Sequence, residues 1–244
     1  MKLNKKYAEL LGIMAGDGCL SKTARNKCYV YISSNSETDV EHMIYVQSLF
    51  KDLFNRETTL HKRKDENTIV LKFIDKKIFY ELSKHCPIGK KYDKLQIPDS
   101  IKGSKTFMTW FIRGLFDTDG NVTLSKQHRT VHYYPRIEIR GITKQFLTDV
   151  LNYLRNLGFY GSLSKGYCNS YRLEVPGFKN LVRWCNMIGS SNPKQIRKIK
   201  AALKNANARD RVRTCGLQLN RIGLSCFDTR RSAALPLSYT GIRK

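Results

Sequence analysis

Two aspartates of this 244-residue chain stand in the same local setting, 102 positions apart. Asp17 closes the run LLGIMAGDG at 10–18, and Asp119 closes the run IRGLFDTDG at 112–120. Each precedes a glycine of the kind that follows a helix end. A carboxylate there faces the negative end of the helix dipole and is costly unless a cation is bound. Two such carboxylates close together would suit a hard divalent cation, and Mg²⁺ suits phosphoryl chemistry.

A glycine lies five positions before each aspartate, at Gly12 and Gly114. Glycine inside a helix costs roughly 1 kcal/mol against alanine, so its use there indicates that another backbone lies very close. Helices paired through these glycines would bring Asp17 and Asp119 together in the middle of the molecule. The alternative is that each acid merely ends a helix beside a turn glycine. The matched repeat favours a catalytic pair.

The alignment of the two runs indicates an internal duplication. The runs resemble the two LAGLIDADG motifs of a single-chain homing endonuclease, with positions 3, 8 and 9 of the motif kept in both copies. The first copy departs at position 6, where Ala15 replaces the usual acid. The second departs at position 2, where Arg113 replaces a small residue.

That resemblance implies an α+β fold of two pseudo-symmetric αββαββα repeats that form a DNA-binding saddle. It implies a site-specific DNA endonuclease in which Mg²⁺ is held by Asp17 and Asp119, with one acid serving each DNA strand. The carbonyl groups of Gly16 and Thr118 are candidate further metal ligands. Asp117 matches Ala15 in the other copy, so we expect a local role for it.

The hydrophobic pattern predicts helix, two strands, helix, two strands and helix in each half, a mixed α+β order. The repeats are predicted at 1–103 and 104–205, with a linker at 89–104 and a loosely packed basic helix at 194–204. A tail at 206–244 is predicted to be disordered. The predicted helices are 4–16, 36–54, 75–85, 107–117, 143–157 and 178–188. The predicted strands are 19–22, 29–34, 58–64, 68–74, 122–125, 134–141, 160–164 and 171–175.

One face of each predicted sheet is polar, aromatic and basic, and strand ribbons of this kind can read base edges in the major groove. The predicted DNA-binding residues of the first half are Arg25, Lys27, Tyr29, Tyr31, Ser33, His61 and Arg63. Those of the second half are Lys126, Arg129, Arg136, Glu138, Arg140 and Arg172. The family resemblance also implies a basic residue that assists catalysis, for which the candidates are Lys22, Lys126, Arg140 and Lys144.

Composition points to a polyanionic partner. Forty-four Lys and Arg against 20 Asp and Glu give a net charge of +24, and residues 206–244 hold only eight basic and two acidic residues, so +18 lies on 1–205. Such a charge favours nucleic acid. Apolar runs are too short for a membrane span, and acids interrupt the signal-like start, so we expect an intracellular protein, cytoplasmic or organellar.

The seven cysteines form no C-x-x-C pair, which indicates reduced thiols. His128 and His132 have zinc-like spacing, but no cysteine pair lies near them, and a loop pair is the favoured interpretation.

The preferred hypothesis is a monomeric endonuclease that binds double-stranded DNA at a long asymmetric target. An intron RNA maturase on the same fold is the first alternative, because both activities need a basic surface. A DNA-binding regulator without catalysis is the second alternative, and two retained acids argue against it.

Overall fold

The computed structural model describes residues 2–64, 66–127, 130, 132–166 and 168–209. Two sets of elements follow one another in the same order. The first set is α1 (Lys5–Gly16), β1 (Gly18–Lys22), β2 (Cys28–Asn35), α2 (Val40–Phe54), β3 (Leu60–Lys62), β4 (Thr68–Ile74) and α3 (Lys76–Ser83). After a short α4 (Asp99–Lys102), the second set is α5 (Lys105–Asp119), β5 (Gly120–Ser125), β6 (Tyr134–Gly141), α6 (Lys144–Asn156), β7 (Ser162–Lys165), β8 (Tyr171–Pro176) and α7 (Phe178–Met187), and α8 (Pro193–Arg209) follows.

Each set forms one four-stranded antiparallel sheet. The strand orders are β1-β2-β4-β3 and β5-β6-β8-β7, so the second sheet repeats the topology of the first. The predicted α+β fold of two pseudo-symmetric αββαββα repeats is confirmed.

Local polar residues set where the helices begin. The side chain of Asn4 accepts the backbone N–H of Tyr7 and so caps α1, and Ser104 does the same for α5 through Phe107. Between these caps and the aspartates, α1 and α5 are apolar on almost every side and lie buried against each other. A helix that is apolar all round must be covered all round, so this pair forms the centre of the core.

The strands alternate as predicted. Val30 and Ile32 of β2 are fully buried, while Tyr29, Tyr31 and Ser33 between them are partly exposed. Because successive side chains of a strand point to opposite sides, each sheet has one face covered by helices and one open face.

The end of the chain differs from the prediction. α8 was expected to pack loosely, and this expectation is wrong: Ile196, Ile199 and Ala202 are buried. Their spacing of three residues places them on one face, which packs against β5 and α7. The helix extends to Arg209, and the predicted disorder of the tail beyond that residue lies outside the described residues.

No helix within the described ranges is long and apolar enough to cross a membrane.

Candidate functional site

The two motif helices touch through their glycines. A Cβ atom on Gly12 would lie 2.0 Å from the carbonyl oxygen of Phe111, and one on Gly114 would lie 2.1 Å from that of Glu9. Real Cβ atoms do not approach backbone atoms so closely, and only glycine fits at either position. The contact is reciprocal, as expected for two copies of one motif related by a pseudo-two-fold axis.

The same crossing brings the two predicted catalytic acids to one place. A Cβ on Gly16 would meet the hydroxyl of Thr118 and would lie 3.2 Å from a carboxylate oxygen of Asp119. Burial raises the pKa of Asp17 to about 6, with Lys91 opposing the shift. Burial and the neighbouring charge of Asp17 raise the pKa of Asp119 to about 7. The site therefore holds two carboxylates whose ionised forms are disfavoured until a cation arrives.

The donor chemistry of this pair fits a hard divalent cation. Two carboxylates supply oxygen ligands, and Mg²⁺ is commonly held by one or two carboxylates together with water and substrate phosphate. Within the described residues, no group of three or more His, Cys, Asp and Glu side chains is placed to hold a metal. A cation here would therefore rely on Asp17, Asp119, backbone oxygen, water and phosphate.

Lys91 is a residue of this site that the sequence interpretation did not include. It lies in the predicted linker, and its ammonium donates to the carbonyl oxygens of Ala15 at 2.9 Å and Gly16 at 2.5 Å, at the C-terminal end of α1. Burial lowers the pKa of Lys91, whereas Asp119 and Asp17 act in the opposite direction. Its donation also occupies one lone pair of the Gly16 carbonyl, which was a predicted metal ligand.

The four predicted basic candidates lie elsewhere. Lys22 donates to the hydroxyl of Tyr80 at 3.1 Å, and Arg140 pairs with Glu138 at 3.4 Å. Lys126 is exposed just after β5, and Lys144 begins α6. The signal that could have found Lys91 is its place in the G-K-K run at 89–91, which opens the predicted linker between the two repeats.

A buried polar network holds the motif helices to the segment between α7 and α8. Asp117 accepts the hydroxyl of Ser190 and, at 2.8 Å, the backbone N–H of Ser191. Ser191 also donates its hydroxyl to Glu9 of α1, and Glu9 further faces Arg113 at 3.4 Å. Arg113, which departs from the motif pattern, therefore balances a fully buried carboxylate. Burial and the Glu9 charge raise the pKa of Asp117 to about 7.

The network continues to the first half of the chain. The amide nitrogen of Asn192 donates at 2.9 Å both to the Asp39 carboxylate and to the Asp117 carbonyl. Lys194 pairs with Asp39 at 2.9 Å, and Gln195 donates to the carbonyl of Gly120 at 2.7 Å. We call residues 190–195 the strap, because this segment ties both motif helices and the N-terminal end of α2 together.

The open face of the first sheet carries the predicted DNA-binding residues around an aromatic pair. Tyr29 and Tyr31 stack with ring centroids 5.6 Å apart, and the ammonium of Lys72 lies 4.9 and 5.2 Å from those centroids. Lys72 was not among the predicted residues, although it pairs with Tyr31 across β2 and β4. The remaining predicted residues are exposed or partly exposed: Arg25, Lys27, Ser33, His61 and Arg63.

The open face of the second sheet carries the predicted arginines Arg136, Arg140 and Arg172. Glu138 lies on the same face but is only 5% exposed, and its carboxylate accepts the hydroxyl of Thr123 at 3.0 Å. The Glu138 carboxylate thus accepts hydrogen bonds from Thr123 and Arg140. Arg129 and His128 lie outside the described residues, and His132 has its Nδ1 atom 2.8 Å from the carbonyl of Leu124.

Comparison with known proteins agrees with this fold. The family model described as LAGLIDADG-like domain matches residues 106–189. The chain is 25% identical over 214 residues to a replication factor C small subunit of Methanocaldococcus jannaschii. The aligned region is 84% of this chain but only 10% of that protein's length.

Solved structures show the same fold. A structure of mesophilic variants of the homing endonuclease I-DmoI matches with a TM-score of 0.58 at 19% identity, over 81% of this chain and 97% of that one. I-DmoI in complex with DNA and Ca matches with a TM-score of 0.57 at 22% identity, over 82% and 97%. The LAGLIDADG meganuclease I-AabMI bound to uncleaved DNA gives 0.58 at 14% identity, over 84% and 91%.

Proposed function

We propose that this chain, which carries a LAGLIDADG-like domain and the fold of the single-chain LAGLIDADG homing endonucleases, is a site-specific endonuclease of double-stranded DNA. The observation that carries the proposal is the meeting of Asp17 and Asp119 at the ends of two tightly crossed helices. The solved structures with this fold include I-DmoI variants in complex with target DNA in the presence of Mg or Mn.

A divalent cation bound by Asp17 and Asp119, for which we propose Mg²⁺, would activate water and stabilise the attacking and leaving oxygens of phosphodiester hydrolysis. The crossed helices hold the two carboxylates in a fixed relation, and both act as oxygen ligands in their ionised forms. Buried backbone contact at Gly12 and Gly114 leaves no room for the helices to slide. The protein therefore holds the two carboxylates rigidly in place for two cleavage events.

Lys91 supplies a positive charge beside the two carboxylates. Its ammonium is held at the α1 carbonyls beside both carboxylates, where it can stabilise charge that develops on a phosphate oxygen during cleavage. We propose this role for Lys91 in place of the four candidates predicted from the sequence.

The two open sheet faces supply the DNA-binding surface. They belong to sheets of identical topology that are joined through the crossed helices, and we propose that they form a saddle over the duplex. The net charge of +18 on residues 1–205 favours contact with many phosphates. For roughly 6–10 neutralised phosphates, DNA affinity should fall about 10³–10⁵-fold between 50 and 200 mM salt.

We propose that one chain forms the whole site, because both motif helices bury each other within the monomer. The repeat boundaries 1–103 and 104–205 stay a prediction. Asymmetry of the target follows from the different side chains on the two open faces.

Cleavage of DNA tests the proposal. The substrate is a duplex that spans the insertion site of the intron or intein carrying this coding region, with that whole element removed, and it is incubated with protein and Mg²⁺. Double-strand cleavage at one position is expected from the parent protein and not from Asp17→Asn. The maturase alternative predicts the contrary result: no cleavage, with a structured intron RNA that outcompetes the duplex at every salt concentration.

A further inference from the structure

The open face of the second sheet carries an ordered array of charges. The register places Glu138 of β6 directly opposite Glu174 of β8, and Arg140 directly opposite Arg172. Arg136 reaches Glu174 at 3.5 Å, Arg172 reaches Glu174 at 3.0 Å, and Arg140 reaches Glu138 at 3.4 Å. We call these five residues the arginine–glutamate lattice.

The glutamates and the arginines of this lattice differ in how far their side chains are exposed to solvent. The carboxylate side chains are 7% and 13% exposed for Glu138 and Glu174. The guanidinium side chains above them are 34%, 66% and 38% exposed for Arg136, Arg140 and Arg172. The acids therefore lie beneath and the arginines face outward. A guanidinium has five N–H donors. Arg140 donates one of them to Glu138 at 3.4 Å and Arg136 donates one to Ser125 at 3.2 Å, whereas Arg172 and Glu174 form an ion pair without hydrogen-bond geometry.

The first sheet has no counterpart of this lattice. Its four strands contain no arginine, aspartate or glutamate. Its open face instead presents the stacked pair Tyr29 and Tyr31 with Lys72 against both rings. Two sheets with the same topology thus offer different chemistry to a duplex.

We propose that the arginine–glutamate lattice is a guanine reader: Arg136, Arg140 and Arg172 donate to the O6 and N7 acceptors of guanines in the half of the target that lies under the second sheet. The inference rests on the proposed function and deepens it, since it assigns a base preference to one half-site. The two-donor fork of arginine matches the paired acceptors of guanine in the major groove.

The buried carboxylates distinguish base reading from phosphate binding. A surface that serves only to attract phosphate gains nothing from two acids at its centre, because they cancel two of its three positive charges. The same acids hold the guanidinium groups close to the sheet by charge attraction before DNA arrives, and the hydrogen bonds from Arg140 to Glu138 and from Arg136 to Ser125 orient two of them, which reduces the ordering cost of binding. Fixed orientation matters for a base edge, whose acceptors lie in one plane, and much less for a phosphate.

The test uses Asp17→Asn protein and a pool of duplexes in which the base pairs of both half-sites are randomised. Bound duplexes are recovered and sequenced. The Asp17→Asn protein, the parent of the further variants in this test, is expected to enrich guanine at up to three positions of one half-site. Arg140→Lys keeps the positive charge but loses the fork. It should reduce discrimination at one of those positions by about 5- to 150-fold and leave the others unchanged.

Two further variants separate orientation from charge. Glu174→Gln releases Arg136 and Arg172 together and should weaken guanine preference at their two positions, while the position of Arg140 keeps its preference. Lys72→Gln is the matched control on the other sheet. It should lower affinity or alter preference only in the opposite half-site.

The outcomes are distinct. A parent that binds duplexes with no guanine preference in either half-site would overturn the lattice reading and leave the endonuclease proposal standing. Uniform loss of affinity in Arg140→Lys with unchanged base preference would also overturn it, since that is the behaviour of a phosphate contact. Absence of any duplex binding by the parent would overturn both proposals.

Discussion

The ammonium of Lys91 lies 2.5 Å from the carbonyl oxygen of Gly16, which is 75 residues earlier in the chain. The contact places a positive charge at the negative end of the α1 dipole, next to the two aspartates. The end of the helix is thereby stabilised, and the same ammonium interacts electrostatically with Asp119 and Asp17.

Replacement of Lys91 by methionine should impair cleavage more than binding. Loss of one group that stabilises developing charge typically costs about 10²–10³-fold in rate. We expect a decrease of at least this size in the single-turnover cleavage rate, with duplex affinity within several-fold of the parent. Lys90→Met is the matched control, because Lys90 is exposed and adjacent. Equal effects of the two substitutions would show that charge alone accounts for the loss.

Asp119→Asn should stabilise the metal-free protein while abolishing cleavage. The pKa of Asp119 is about 7 in the folded chain against an ordinary value of 3.8, so the folded state binds more protons than the unfolded state between these values. Stability of the parent therefore falls as pH rises from 4 to 7. At pH 8 the variant should gain on the order of 2 kcal/mol, a rise in Tm of roughly 4–8 °C. At pH 4 the gain should vanish, as thermal melts in EDTA can check.

Mg²⁺ should stabilise the protein in a pH-dependent way. Both carboxylates must be ionised to act as ligands, and their pKa values are about 6 and about 7. We expect millimolar Mg²⁺ to raise Tm at pH 8 and to have little effect at pH 5.5. Asp17→Asn and Asp119→Asn should each remove the response. A response that persists in both variants would place the cation elsewhere.

Gly114→Ala should disrupt the helix crossing although it adds a single methyl group. That group would lie 2.1 Å from the carbonyl oxygen of Glu9, and backbone cannot move aside as a side chain can. We expect a loss of about 1–3 kcal/mol in the free energy of unfolding, together with reduced cleavage. Gly103→Ala is the control, since its methyl group would lie 3.7 Å from the nearest atom. Parent-like stability and cleavage in Gly114→Ala would refute the close crossing.

Ser191→Ala should weaken the strap. The hydroxyl donates to the fully buried carboxylate of Glu9, which would keep Tyr45 and Arg113 as its partners within the part of the chain that the structure describes. Loss of a hydrogen bond to a buried charge is expected to cost about 1–3 kcal/mol. Urea unfolding provides the measurement, and Ser100→Ala, at an exposed position, provides the control. An unchanged midpoint in Ser191→Ala would mean that the Ser191 hydroxyl contributes nothing to stability.

The regular elements could be predicted well from the sequence because their signals are local. The strands Thr68–Ile74 and Tyr134–Gly141 have the predicted bounds, since alternation and flanking turn residues define both ends. The crossing at Gly12 and Gly114 follows from glycines at matching positions in a repeat.

Lys91 and the strap could not be predicted in the same way. The contact of Lys91 with Gly16 and that of Ser191 with Glu9 join residues 75 and 182 positions apart. Neither pair shares a periodic pattern, and serine or lysine in a loop is usually solvated. The packing of α8 was visible in the spacing of Ile196 and Ile199, but its many basic residues pointed to a solvated helix.

The strap makes the two repeats unequal as modules for protein engineering. Ser191 and Asn192 follow α7 within the predicted second repeat, 104–205, yet they complete the hydrogen bonding of Glu9 and Asp39 in the first. A hybrid that joins this first repeat to the second repeat of a relative would leave those buried carboxylates without the donors that Ser191 and Asn192 provide, unless the relative supplies equivalent residues. The natural unit of exchange is therefore 1–103 together with 190–195, two pieces that are remote in sequence and contiguous in space.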